Sequence, residues 1–235
     1  MMIKGRLIYV SDLTPGQKER MYNLMDEHYN NMTRQVFERD LSEKRYVILL
    51  ECMTTSGIEG FSTQMTYPFH FEGKEYLILY SGDTIISRSQ WGSLELPKAF
   101  GELMLSLIKD NTGRKIFWFL ITKGVRTYKF MPVFMKDFYP RYDSEPDSEL
   151  KALTDALATD KFGHLYDSDS GVVRVIGPGH PLKEAYEPET SKRVNPHVSF
   201  FYRSNPGYQK GEELACVAEL SVHNISPFIR RVLKV

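Results

Sequence analysis

The chain has 235 residues, 42% of them apolar and 26% charged. This is the composition of a globular protein with a real core, and it excludes a collagen-like repeat, a coiled-coil rod or wholesale disorder. Thirty basic residues balance thirty acidic ones, so a broad electrostatic grip on nucleic acid or an anionic membrane is not expected.

Cys52 and Cys216 sit in separate apolar stretches and read as two buried free thiols, with a disulfide as the alternative; this is the cysteine usage of a reducing compartment. The opening Met1-Met2-Ile3-Lys4-Gly5 lacks an apolar signal core, and the longest apolar run, Ile116 to Ile121, has six residues. A bilayer span needs about 20. A cytoplasmic protein without a membrane span is expected. The sequence does not give its oligomeric state.

Residues 6–10 form a short apolar run, read as a strand. Thr14-Pro15 then starts a helix, with the hydroxyl as cap and proline at the first position. Met21, Leu24, Met25 and His28 follow at helical spacing. Thr33 opens a second helix with Val36, Phe37 and Leu41 on one face. Residues 45–52 and 58–67 read as a hairpin around Thr54-Thr55-Ser56-Gly57, and Pro68 to Gly73 as the next turn. A long strand covers 76–87, and its interior Gly82 suggests a bulge or a close backbone approach. Residues 94–110 are helical, with Leu96, Phe100, Leu103, Met104 and Leu107 facing the core. Residues 115–122 have the continuous apolar pattern of a strand covered on both faces. A helix over 125–134 is expected to stop or bend near Pro132. Residues 143–195, rich in Asp, Glu, Ser, Gly and Pro, read as an insertion or long loop within a single domain spanning 1–235, with a helix at 148–160. Residues 198–202 and 215–222 read as two returning strands, and Arg230, Arg231 and Lys234 as a solvated tail. The fold class is α+β, a mixed, mostly antiparallel sheet with helices on both faces.

This order resembles the GNAT acyltransferase family. The residues that carry the resemblance are Gly60-Phe61-Ser62 on the third strand, and the strand Tyr80 to Ser87 running into the loop Arg88-Ser89-Gln90-Trp91-Gly92-Ser93. The C-terminal stretch from Asn195 to Leu220 is similar to tails of bacterial GNAT-like proteins. The resemblance implies that the loop and the following helix N-terminus hold the phosphates of a thioester donor. The family's usual pattern there is Arg or Gln, two residues, Gly, one residue, then Gly or Ala. Here Trp91 stands at the first position, and Leu94 and Leu96 replace the small residues. The donor implied is acyl-CoA or an acyl carrier protein's phosphopantetheine, which carries a single phosphodiester. Donor-binding residues would be Thr84, Ile85 and Ile86, through their backbone, and Gln90, Trp91, Gly92, Ser93 and Leu94.

Asp83 would act as general base, directly or through water, and Tyr128 or Tyr139 as general acid for the leaving thiolate. Each also has a bland reading: Asp83 satisfying a bulge, the tyrosines packing in the core, the loop merely turning from strand to helix. The six histidines show no metal-ligand spacing, and no metal is expected. Phe100, Met104, Phe117, Trp118, Phe119, Phe130, Met131, Phe134 and Met135 crowd around the site in sequence and tilt the expectation towards a long acyl chain. The function expected is N-acyl transfer to a small-molecule or peptide amine: an amino acid, a polyamine or a peptide natural product. The alternative is a non-catalytic GNAT-like module that binds an acyl ligand or a protein partner, the acyl carrier protein among them.

Overall fold

The computed structural model describes residues 2–145, 147–183 and 195–235. In chain order the elements are β1 (Ile3–Tyr9), α1 (Pro15–His28), α2 (Arg34–Ser42), β2 (Tyr46–Cys52), β3 (Ile58–Phe71), β4 (Lys74–Ile86), α3 (Glu95–Asp110), β5 (Ile116–Thr122), α4 (Val125–Tyr128), α5 (Phe130–Phe134), α6 (Ser148–Phe162), β6 (Tyr166–Asp167), β7 (Val172–Val173), α7 (Pro196–Ser204), β8 (Glu213–Glu219) and α8 (Pro227–Leu233). Among the described residues the strands form one eight-stranded sheet in the order β1-β2-β3-β4-β5-β8-β7-β6. Every pairing is antiparallel except that of β4 with β5, joined by the crossover helix α3.

Local signals explain most starts. The Thr14 hydroxyl accepts from the Gln17 N–H at 3.2 Å, and the Gln17 side chain accepts from the Thr14 N–H at 2.9 Å, the reciprocal arrangement that fixes a helix N-terminus. Side-chain alternation then sorts the sheet's two faces. Ile48, Leu50, Leu77, Leu79, Ile116, Trp118, Cys216 and Ala218 face α3, α5 and α8. Val47, Leu49 and Phe61 face α1 and α2. Ile78, Tyr80, Phe117, Phe119, Ala215 and Val217 face α6 on that same side. Both cysteines are free and buried.

Four readings need correction. Residues 198–202 lie in a helix, α7. The Asn195 side chain accepts from the His197 N–H at 2.9 Å and Pro196 takes the first position; these start signals outweigh the β-propensity of Val198, Phe200, Phe201 and Tyr202, which is mostly a packing preference. Only β8 returns at the C-terminal end. Pro68 to Phe71 continue β3, and the turn is confined to Glu72-Gly73. Proline is tolerated there because β2 pairs with β3 only as far as Gln64. Arg230 and Arg231 belong to α8, which is capped by Ser226 and followed by Lys234; its Ile229 is buried and its Leu233 lies against Gly101 of α3. The region 163–183 is not all loop, since β6 and β7 extend the sheet beyond β8; residues 184–194 lie outside the described residues. The helix over 125–134 divides at Lys129, near the turn where Pro132 supplies no N–H.

Candidate active site

The site begins with a bulge. Ser62 pairs with Thr84 and Gln64 with Ser81, so Gly82 and Asp83 together oppose Thr63. Such an insertion exchanges the faces of the strand beyond it. Leu77, Leu79 and Ser81 face α3; after the bulge Thr84 takes that side, and Asp83 and Ile85 turn towards α1. A Cβ at Gly82 would lie 2.6 Å from both Lys44 Cε and Thr63 Oγ1, so a larger residue would displace the Lys44 and Thr63 side chains. The β4–β5 pairing stops at Ser81 with Leu120. Beyond that point the parallel strands part, and α4 enters the gap through Gly124 and Val125.

The gap is a slot of about 330 Å³. It brings together Thr84, Ile85, Ile86, Trp91, Gly92, Ser93 and Leu94, walled by Val125, Phe130, Val133, Leu182 and Phe228. Gln90 is not in the wall; it is buried and its side chain donates to the Ser89 hydroxyl at 3.4 Å. The loop is less free to cradle phosphate than the family pattern implies. The N–H groups of Gln90, Trp91 and Ser93 donate within the loop, and that of Glu95 donates to the Ser93 hydroxyl. Gly92 holds a positive φ of 93°, a conformation that suits glycine. Trp91 folds back and donates from Nε1 to the Ile86 carbonyl at 3.0 Å. The Arg126 guanidinium lies 3.6 Å over the Trp91 ring and that of Arg88 lies 5.3 Å from it. Burial, then the charge of Arg88, lowers the Arg126 pKa. Arg126 and Lys129, both in the slot wall, form no ion pair among the described residues. Side-chain cations therefore stand where backbone donors are largely engaged.

On the α1 and α6 side a second, polar cleft of about 380 Å³ holds Asp83. Tyr29, Thr84, Gly124 and Thr127 line both cavities, so the two meet at the end of β4. The Asp83 carboxylate accepts no hydrogen bond among the described residues and stays in partial contact with solvent. Burial raises its pKa, against the pull of the Lys44 and Lys123 ammonium groups. The Lys44 side chain is itself buried, which lowers its pKa, and it donates to the Asp40 carbonyl at 2.9 Å. Lys123 pairs with Glu213 at 3.4 Å and Lys161 with Glu43 at 3.3 Å. Phe162 and His180 complete the cleft from beyond residue 143.

The structure brings neither sequence-predicted tyrosine to Asp83. Tyr128 is fully buried between Phe138, Phe200 and Phe201, its hydroxyl donating to the Pro140 carbonyl at 3.1 Å. Tyr139 lines a separate hollow with Arg141, Ser144 and Leu150. Burial raises the pKa of both. The tyrosine at the junction is Tyr29, which sequence reading passed over. It follows the last turn of α1, carries no motif, and is positioned by a bridge to Leu182 across the fold. Burial, then the charge of Asp83, raises its pKa and keeps its hydroxyl protonated. Of the Phe and Met residues thought to surround the site, only Phe130 reaches the slot wall; the others pack in the cores on the two faces of the sheet or alongside them. No group of three or more metal-ligating side chains occurs among the described residues, and no helix there is long and apolar enough to cross a membrane.

The fold is α+β: a mixed, mostly antiparallel sheet with one central parallel pair that splays beside a loop into α3. No family model matches the sequence, and no curated protein matches it. Solved structures similar in fold include a probable N-acyltransferase from Enterococcus faecalis, at 14% identity and TM-score 0.44 over 57% of this chain and 33% of that one. Another is glucosamine-6-phosphate N-acetyltransferase from Arabidopsis thaliana, at 14% identity and TM-score 0.40 over 63% of this chain and 100% of that one. A third is N-myristoyltransferase from Saccharomyces cerevisiae with bound myristoyl-CoA, at 12% identity and TM-score 0.40 over 52% and 29%. The matched region thus spans only 33% of the Enterococcus protein.

Proposed function

We propose that this protein is an N-acyltransferase that moves an acyl group from a thioester, carried by CoA or by the phosphopantetheine of an acyl carrier protein, to an amine. The observation that carries the reading is the meeting of two unlike cavities at Thr84: an apolar slot with Arg126 and Lys129 in its wall, and a polar cleft holding an unengaged carboxylate. The slot suits a pantetheine arm, with the cations near its phosphate. The cleft suits an acceptor amine, with Asp83 taking its proton. Tyr29, held protonated at the junction, is the hydrogen-bond donor for the departing sulfur.

The finer features follow the same logic. Arg39, Lys44, Lys123 and Lys161 stand with Asp40, Glu43, Asp83 and Glu213 around the cleft, four basic groups with four acidic ones. That balance favours an acceptor of mixed charge, an amino acid or a peptide amine, over a polyamine, whose like charges would crowd the lysines. A fatty-acyl donor is supported by the apolar wall, with Phe130 and Val133 as the residues that would limit chain length.

The test is thiol release from acetyl-, octanoyl- and palmitoyl-thioesters of CoA and of a carrier protein, with and without amino acids. Amine-dependent release is expected, and Asp83→Asn should lower kcat by about 10²–10⁴-fold while leaving donor affinity in place. Donor binding without release in any combination would replace the enzyme by a binding module.

A further inference from the structure

A chain of buried hydrogen bonds runs from the centre of the sheet to the junction of the two cavities. Trp118 Nε1 donates to Ser81 Oγ at 2.9 Å, Ser81 Oγ to Gln64 Oε1 at 2.7 Å, and Gln64 Nε2 to Ser62 Oγ at 2.8 Å; Ser62 Oγ lies 2.7 Å from Thr84 Oγ1. Trp118, Ser81, Gln64 and Ser62 are all buried. The void beside them, about 10 Å³, is no larger than the smallest space that admits a water.

The chain has one polarity that satisfies every member. An indole N–H only donates. Ser81 therefore accepts from Trp118, and its own proton goes to the Gln64 oxygen. That turns the Gln64 amide nitrogen towards Ser62. Ser62 accepts there, so its proton goes to Thr84. The reverse sense at the last link would strand the Ser62 proton in the core, at a cost of about 1–3 kcal/mol. Thr84 thus receives a hydrogen bond from within and keeps its own O–H free. Thr84 is only partly buried and lines both slot and cleft. The bulge at Gly82-Asp83 is what turns it towards Ser62.

We infer that the Thr84 hydroxyl donates to the acyl carbonyl oxygen of the bound thioester and stabilises the oxyanion formed during transfer. This rests on the acyl-transfer reading. The amine nitrogen bonds to the carbonyl carbon, and the carbonyl electron pair moves onto oxygen, against the Thr84 proton. The carbonyl then re-forms and the C–S bond breaks, its electron pair leaving on sulfur. The ammonium proton passes to Asp83 or water, and the sulfur takes one from solvent. Thr84 gives up no proton; its hydrogen bond strengthens as charge develops. The buried chain holds the hydroxyl in that sense without reorientation, which is the condition under which such a donor is most effective.

Thr84→Val keeps the shape and removes the donor; it also takes the acceptor from the Ser62 proton, so a lower Tm accompanies it. It is expected to lower kcat by about 10²–10³-fold with donor Kd nearly unchanged, and Thr84→Ser should restore most of the rate. Isotope-edited infrared spectroscopy of acetyl-CoA labelled at the thioester carbonyl gives a readout independent of turnover. The carbonyl stretch of the bound donor should sit at lower frequency in the wild type than in Thr84→Val. A wild type that turns over while Thr84→Val matches it in both rate and carbonyl frequency overturns the assignment but leaves acyl transfer standing. Failure of the wild type to bind or cleave any thioester overturns both.

Discussion

Asp83 couples the site to pH in two opposite ways. Its pKa is raised in the folded chain, chiefly by burial. Below the ordinary carboxylate value of about 4 the group is neutral whether folded or unfolded, and ionisation contributes nothing to stability. As pH rises past that value the unfolded chain ionises first, so the folded state loses ground until the folded pKa is passed. Asp83→Asn should therefore melt higher than the wild type at pH 8, and the gap should close on acidification towards pH 4. Catalysis runs the other way, because a base works only when ionised. With an acceptor amine of low pKa, kcat/KM should rise with pH through an apparent pKa above the ordinary carboxylate range. A wild type as stable as Asp83→Asn at pH 8, with a flat rate profile, would remove Asp83 from the role of buried base.

At the scale of elements, α8 ties the C-terminal end to the slot. A Cβ on Gly101 would lie 2.7 Å from Leu233 Cδ1, while Phe228 on the same helix forms part of the slot wall. Gly101→Val should cost about 1–3 kcal/mol through overpacking, seen as a lower Tm, and weaken donor binding several-fold as Phe228 shifts. Adding Leu233→Ala should recover part of both, since the two sites touch. Loss of stability with donor affinity intact would show that α8 is only a brace. Helices and strands with local signals were legible in the sequence: the Thr14 cap, the apolar run of β5, the bulge at Gly82. The helix α7 was not, because aromatic residues serve either structure and the cap signal at Asn195-Pro196 was outweighed in reading Val198 to Tyr202. The site was legible in the same uneven way. Asp83 and the slot residues 84–86 and 91–94 share one strand-and-loop segment, so sequence order already placed them side by side. Tyr29, just beyond α1, is held at the site by its bridge to Leu182, and Arg126, on α4, joins it through the parallel pairing of β4 with β5. No local pattern encodes a contact of that kind.

The whole molecule presents the apolar slot and the polar cleft on opposite sides of a single strand end, joined at Tyr29, Thr84, Gly124 and Thr127. Each cavity has its own lining beyond those shared residues, so one ligand need not leave before the other arrives. The two cysteines, the strongest intrinsic nucleophiles of the chain, are buried, and neither lines either cavity. On the acyl-transfer reading, this arrangement favours direct attack within a ternary complex over relay of the acyl group through the protein. Initial-rate plots at several fixed amine concentrations should intersect, and mass spectrometry of protein mixed with donor alone should show no added acyl mass. The net charge of zero leaves little long-range steering. Salt should then act mainly through Arg126 and Lys129, weakening donor binding while kcat at saturation holds. Arg126→Ala should lower donor affinity by about tenfold, the scale of one charge-assisted hydrogen bond, and flatten that salt dependence. Parallel initial-rate lines with an acylated protein would place a covalent step between the two cavities, and donor affinity insensitive to both salt and Arg126→Ala would take the donor's phosphate away from these cations.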